Sequence, residues 1–265
     1  MPNLTPQLWE EYQTLFDTCA IRPERKSAAE SLASALVENK SRYQAVGDQT
    51  DVPWYLVAVI HNMEASQSFK KHLHNGDPLT ARTVHVPKNR PLIGNPPFTW
   101  EGSAIDALVF EDFDRVEDWT LPGSLFQLEK FNGFGSRGHG IHTPYLWSFS
   151  NQYTKGKFVA DGVYDPNAVS QQCGAAVLLR RMVDIGEVTF PVNIEPSTAD
   201  EITAAGAAVP FSNTVKTIRA TRLQKLLNRF PGISTKVTPD GFAGRKTSSA
   251  FKEVTGSLLT GDPRL

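Results

Sequence analysis

Glu64 closes an apolar run, YLVAVIHNME, and a second carboxylate, Asp77, follows within N-G-D-P. A carboxyl set among apolar side chains is costly to ionise and holds its proton toward neutral pH. That is what a general acid needs in order to protonate a glycosidic oxygen. Asp77 admits two readings. As a catalytic partner it activates water on the opposite ring face, with the two carboxyls about 6.5–9.5 Å apart. As a turn residue it belongs to ordinary Asn-Gly-Asp-Pro turn chemistry. All six histidines, His61, His72, His74, His85, His139 and His142, fall in the same part of the chain. Without an HExxH or CxxC pattern no metal site is expected. His85 reads as a sugar contact, and His61 either lines a polar cleft or sits as a satisfied core histidine. Asn132 suits an N-acetyl group, because its amide both donates and accepts. Tyr145 and Trp147 are candidate aromatic walls for sugar rings, with Trp147 the leading one.

These residues need a scaffold. PQLWEEYQTLF predicts a first helix, and ERKSAAESLASALVENKSRYQAV a second that ends at Gly47. A third begins near Pro53 with Asp51 as its cap and reaches Glu64. Apolar residues on several sides of that helix imply that it is buried. TARTVHVPKNRP alternates and predicts a strand or hairpin. WEGSAIDALVFEDF and LPGSLFQLEKF return to helix, and NGFGSRGHGIHTP is a glycine-rich loop. DPNAVSQQCGAAVLLRRMVDIG reads as a helix opened at Asp165 and Pro166 and closed at Gly186. The fold class expected is mostly α (α+β): a helical domain with a small β-hairpin, plus a small three-helix C-terminal module. The boundaries are 1–186 for the first domain, 187–212 for a proline-rich and alanine-rich linker, and 213–265 for the module.

The totals bound the function. The 265 residues are 40% hydrophobic and 21% charged, as in ordinary globular proteins. From Ala205 onward ten Lys and Arg face three Asp and Glu, a net +7, which leaves −8 for the preceding 204 residues out of a total of −1. A basic tail on an acidic body points to an anionic partner. Two cysteines, Cys19 and Cys173, make no disulfide framework and read as buried thiols. MPNLTPQLWEEYQ lacks a basic segment followed by an apolar core, so no secretory signal is expected. YLVAVI is too short to span a membrane.

VPWYLVAVIHNMEASQSF resembles the catalytic helix of the lysozyme superfamily, in particular goose-type lysozymes and lytic transglycosylases. Ala65 follows Glu64, where those families usually carry serine, and the serine comes at Ser66. FNGFGSRGHG occupies the place of their tyrosine-asparagine-glycine segment, with Phe131 for the tyrosine. HLHNGDPLTARTVHVP and PPFTWEGSAIDAL are similar to segments of lysozyme-like proteins of bacteria and their phages. The likeness covers roughly residues 50–185. It implies a lysozyme-like domain with Glu64 as acid and Asp77 as the second carboxylate, or Glu64 acting alone.

RLQKLLNRFPGISTKVTPDGFAGRKTSSAFKEVTG resembles a peptidoglycan-binding module, carried by Leu223, Gln224, Leu227, Asp240, Gly241, Phe242, Gly244, Thr247 and Ala250, with Ala243 inserted before Gly244. Its basic exterior is expected to comprise Arg219, Arg222, Lys225, Arg229 and Lys236. Together the two resemblances imply a muramidase that cleaves the β-1,4 bond between N-acetylmuramic acid and N-acetylglucosamine. It would need no cofactor, bind peptidoglycan glycan strands and not nucleic acid, act as a monomer, and reach the bacterial wall by release or by a non-classical route. The alternatives are a non-catalytic wall-binding protein with a lysozyme-like fold and a chitinase-like glycosidase.

Overall fold

The computed structural model describes residues 3–192 and 197–265. Its described residues form eleven helices and one two-stranded antiparallel hairpin. The helices are α1 (Pro6–Asp17), α2 (Lys26–Glu38), α3 (Lys40–Thr50), α4 (Trp54–Ala65), α5 (Trp100–Phe110), α6 (Leu121–Asn132), α7 (Pro144–Trp147), α8 (Ala175–Asp184), α9 (Ala199–Ala207), α10 (Ile218–Arg229) and α11 (Arg245–Thr255). The hairpin joins β1 (Lys157–Ala160) to β2 (Val163–Asp165), with Phe158 opposite Tyr164.

The chain folds as two compact units. The first holds the residues up to Gly47, Pro53–Ala107 and Asp118–Val192; the second holds Asp48–Val52, Leu108–Glu117 and Asn193–Leu265. In the first unit α4 is the central element. Every residue from Trp54 to Asn62 is buried. Such a helix is apolar all round because it has no solvent face, and each fully buried Val, Leu or Ile contributes about 1.5–3 kcal/mol relative to exposure. It packs against α2 and α8. Gly174 lets α8 start against α7, since a Cβ there would meet the Leu146 carbonyl oxygen at 2.2 Å.

Several expectations are corrected. The second helix divides at Asn39, whose side-chain amide donates to the Ala35 carbonyl at 2.9 Å, and α3 then runs on to Thr50. Such local side-chain bonds compete with helix continuation. Asp51 does not cap α4. It takes a left-handed φ of 60° and pairs with Lys225. No hairpin forms in TARTVHVPKNRP. Pro87 and Pro91 supply no backbone N–H, and Thr83 closes a loop by donating to the Arg90 carbonyl at 2.9 Å. The hairpin lies at 157–165 instead, so α8 starts only at Ala175 and not at Asp165.

Most of the segment read as a linker is folded. Val188 is buried, and Phe190 packs edge-on against Phe16 and Tyr55, so 187–192 belongs to the first unit. Residues 193–196 lie outside the described residues. Residues 199–207 form α9, opened by a capping box between Thr198 and Glu201. Thus the module has its three helices, but the first comes from residues assigned to the linker.

The second unit's core joins Ile202, Val209, Ala220, Leu223, Leu227, Val237, Phe251 and Leu259, among others. Gly206 lets α9 approach α11, because a Cβ there would lie 2.2 Å from the Phe251 ring. Gln224 is buried at the centre. Its amide donates to Asp240 Oδ1 (2.8 Å), Thr247 Oγ1 and the Phe242 carbonyl (both 3.1 Å), and its oxygen accepts from Gly241 N at 2.9 Å. Lys225, expected on the basic exterior, is 1% exposed. Its Nζ meets Asp51 Oδ2 at 2.5 Å and donates to the carbonyls of Asp114 (3.2 Å) and Val116 (2.9 Å).

Candidate functional site

Glu64 is half-buried on the last turn of α4. The helix ends at Ser66 and Gln67, both left-handed. The Gln67 side-chain amide donates back to Asn62 Oδ1 at 2.9 Å and to the Leu32 carbonyl at 3.3 Å, which secures the turn. The chain then loops so that Gly76 rests on the end of α4. A Cβ at Gly76 would sit 2.9 Å from the Glu64 carbonyl oxygen, and its φ is 77°. Glycine is required there on both counts.

The Tyr145 hydroxyl donates to Glu64 Oε1 at 3.2 Å. Burial, then the neighbouring Glu64 charge and that hydrogen bond, push the Tyr145 pKa well above its ordinary value. Tyr145 therefore stays a neutral donor. A cleft of about 550 Å³ opens beside it, lined by Asn132, Gly133, Thr143, Tyr145, Lys157, Phe158, Asp161 and Gln172, among others. Gln172 donates to the Met63 carbonyl at 2.8 Å. Two cleft residues thus grip the last turn of α4. Asn132, at the end of α6, donates to Thr143 Oγ1 at 3.4 Å.

Asp77 lies elsewhere in its loop and is 7% exposed. Its Oδ2 accepts from the amides of Val84 (2.8 Å) and His85 (3.0 Å), and its Oδ1 meets His85 Nδ1 at 2.6 Å. Burial alone would raise its pKa, but the bonds from His85 and Val84 win and draw it down to about 2. The His85 ring is 78% exposed and directed to this carboxylate. Glu64 adjoins the cleft through its bond with Tyr145 rather than as a lining residue, and neither Asp77 nor His85 lines it. Trp147 does not either: it is 1% exposed and anchors the short α7 in the core, which corrects its assignment as a cleft wall.

Three other histidines are structural. His61 is fully buried, with Nδ1 3.0 Å from the Tyr43 hydroxyl and its ring against Phe69 and Trp100. Burial pushes its pKa down to about 4. His72 contacts Ser103 Oγ and the Ala81 carbonyl, both at 2.7 Å. His74 pairs with Asp106 at 2.8 Å. Among the described residues no group of three or more His, Cys, Asp or Glu is placed to hold a metal ion, and no helix is long and apolar enough to cross a membrane. Cys19 and Cys173 are both free and buried.

Lys157, Asp161 and Gln172 escaped the sequence reading. The first two had a signal, since Asp161-Gly162 between short β-prone runs is the usual two-residue hairpin turn. Glu129 also escaped. It is 1% exposed, accepts from Arg137 Nε (2.8 Å), Arg137 NH2 (2.9 Å) and the Tyr12 hydroxyl (2.6 Å), and lies on α6 one turn before Asn132. Comparison of the chain with protein-family models, curated proteins and solved structures found no match.

Proposed function

We propose that the first unit is a glycosidase of the bacterial cell wall, a muramidase cleaving the β-1,4 bond between N-acetylmuramic acid and N-acetylglucosamine. One observation carries this reading: a half-buried carboxyl ends a helix buried from Trp54 to Asn62 and accepts from a tyrosine that also lines a cleft of about 550 Å³. Glu64 is the acid. It protonates the bridging oxygen as the C1–O bond breaks, and the Glu64 carboxylate left behind takes the proton of the oxygen nucleophile that completes the displacement at C1. Asn132 and Tyr145 bind and orient the strand. Lys157, which has no ion-pair partner among the described residues, favours a carboxylate-bearing strand over neutral chitin.

Asp77 supports the site from its loop. A carboxylate with a pKa near 2 is a weak base for activating water, so Glu64 is the carboxyl on which the chemistry depends. The second unit is the wall-binding module, and tethering raises the local substrate concentration.

The test is release of muropeptides from purified peptidoglycan, read by mass spectrometry. Wild type should release them, Glu64→Gln should release none while still binding, and Asp77→Asn should keep a measurable rate. A wild type that binds and releases nothing refutes the reading in favour of a wall-binding protein. A preference for chitin oligomers would redirect it to a chitinase-like enzyme. A reducing end in the product identifies water as the nucleophile, and an anhydro end identifies the muramyl C6 hydroxyl.

A further inference from the structure

The second unit carries a cavity of about 410 Å³ between α9 and α10. That volume lies within the ~300–1,000 Å³ range of small-ligand sites. Ala204, Ala205 and Ala208 line one side, and Leu226 lies on the other with Arg219 and Arg222. The spacing explains the composition. Residues three and four apart share a helix face, so α9 turns a row of methyl groups toward the cavity while α10 turns two guanidinium groups and one leucine.

Both arginines are exposed, and neither has a hydrogen bond or ion pair among the described residues. Glu201 lines the same cavity and its charge interacts with Arg222, but it makes no direct bond to either arginine: its Oε2 accepts from Thr198 N at 2.8 Å and contacts Thr198 Oγ1 at 3.1 Å in the capping box. The first of those bonds also holds the Glu201 pKa below its ordinary value. The cavity therefore sets two guanidinium groups against one carboxylate, a net positive charge beside a methyl-lined wall.

We propose that this cavity binds the free carboxyl end of a short peptide with alanine-sized side chains. The carboxylate takes the guanidinium groups of Arg219 and Arg222, whose planar donors match it. The methyl side chains lie against Ala204, Ala205 and Ala208. This deepens the wall-binding role proposed for the second unit and rests on that reading, since cell-wall stem peptides offer this chemistry. It selects two of the five residues expected on the basic exterior: Lys225 is buried, Arg229 is half-buried, and Lys236 donates to the Asn228 carbonyl.

The experiment is isothermal titration of the full chain carrying Glu64→Gln with N-acetylated alanyl-alanine as the free acid, in its D,D and L,L forms, and as the C-terminal amide. The free acid should bind, and the amide should bind about 10–100-fold more weakly, the loss expected when one charge-assisted bond is removed. Arg219→Gln with Arg222→Gln should weaken the acid by at least as much and leave the amide unchanged. Both substitutions are on the surface, and circular dichroism with a urea midpoint verifies the fold. Binding of the D,D form alone points to wall peptides, and binding of both forms to a general reader of peptide C-termini; either result supports the site. No binding of the acid, equal binding of acid and amide, or indifference to the arginine substitutions overturns it. The readout is independent of catalysis. Peptide binding together with a wild type that releases no muropeptides would sink the muramidase reading and leave this site intact.

Discussion

Arg137→Met is the substitution whose outcome the geometry specifies most closely. Arg137 donates to both oxygens of Glu129, at 2.8 and 2.9 Å, and to Glu11 Oε1 at 2.8 Å. Glu129 is 1% exposed, so removing the guanidinium leaves a buried carboxylate with the Tyr12 hydroxyl still donating to it. Breaking a buried pair from one side costs about 3–5 kcal/mol. For a chain of this size that corresponds to a fall in melting temperature of about 6–20 °C. Urea unfolding followed by tryptophan fluorescence gives the free energy directly. The double variant Arg137→Met with Glu129→Leu removes both charges and should recover most of the loss, because apolar replacement of a whole buried pair is often neutral. The reasoning fails if Arg137→Met unfolds within about 1 kcal/mol of wild type, or if the double variant is no more stable than the single. The consequence reaches the cleft. Glu129 lies one turn before Asn132, and Arg137 sits in the loop that follows, so activity should fall along with stability.

Two more outcomes follow from the first unit. His61 is buried and neutral with a pKa near 4, against 6.5 for the exposed group. The unfolded chain therefore takes up this proton first, and stability present above pH 6.5 is lost as pH falls toward 4, by up to about 3 kcal/mol. Urea midpoints across that range should show the slope, and His61→Gln should flatten it apart from the smaller contribution of His72, whose pKa burial also lowers. Tyr145→Phe removes the hydroxyl from Glu64 Oε1. It should lower kcat/KM about tenfold and move the alkaline limb of the rate profile upward, since donation to a carboxylate favours its charged form; an unmoved limb would separate Tyr145 from the acid.

What could be read from sequence divides by the range of the interactions involved. α4 was legible because apolar residues occur on every side of it, a pattern only a buried helix produces. The meeting of Gln224 with Asp240, Gly241 and Thr247 was foreshadowed by the motif residues themselves. The linker was misread by weighing Ala and Pro content over the capping box Thr198-x-x-Glu201, which stood in plain view. The hairpin was placed on an alternating run whose prolines cannot complete a ladder, while Asp161-Gly162 went unweighed. Glu129 gave a fainter sign, a carboxylate four residues after Leu125 on the buried face of α6. Lys225 gave none. Asp51, Asp114 and Val116, the groups that neutralise and satisfy it, are more than a hundred residues away, and nothing local distinguishes it from a surface lysine.

That ammonium has a bearing on any attempt to transplant the C-terminal part. A fragment cut at residue 193 would carry the lysine but neither the aspartate nor the two carbonyls that receive it, because those come from 48–52 and 108–117. The excised piece would present a naked cation within its own packing surface. Portability, the usual virtue of an appended module, has here been traded for stitching through distant stretches of the same polypeptide.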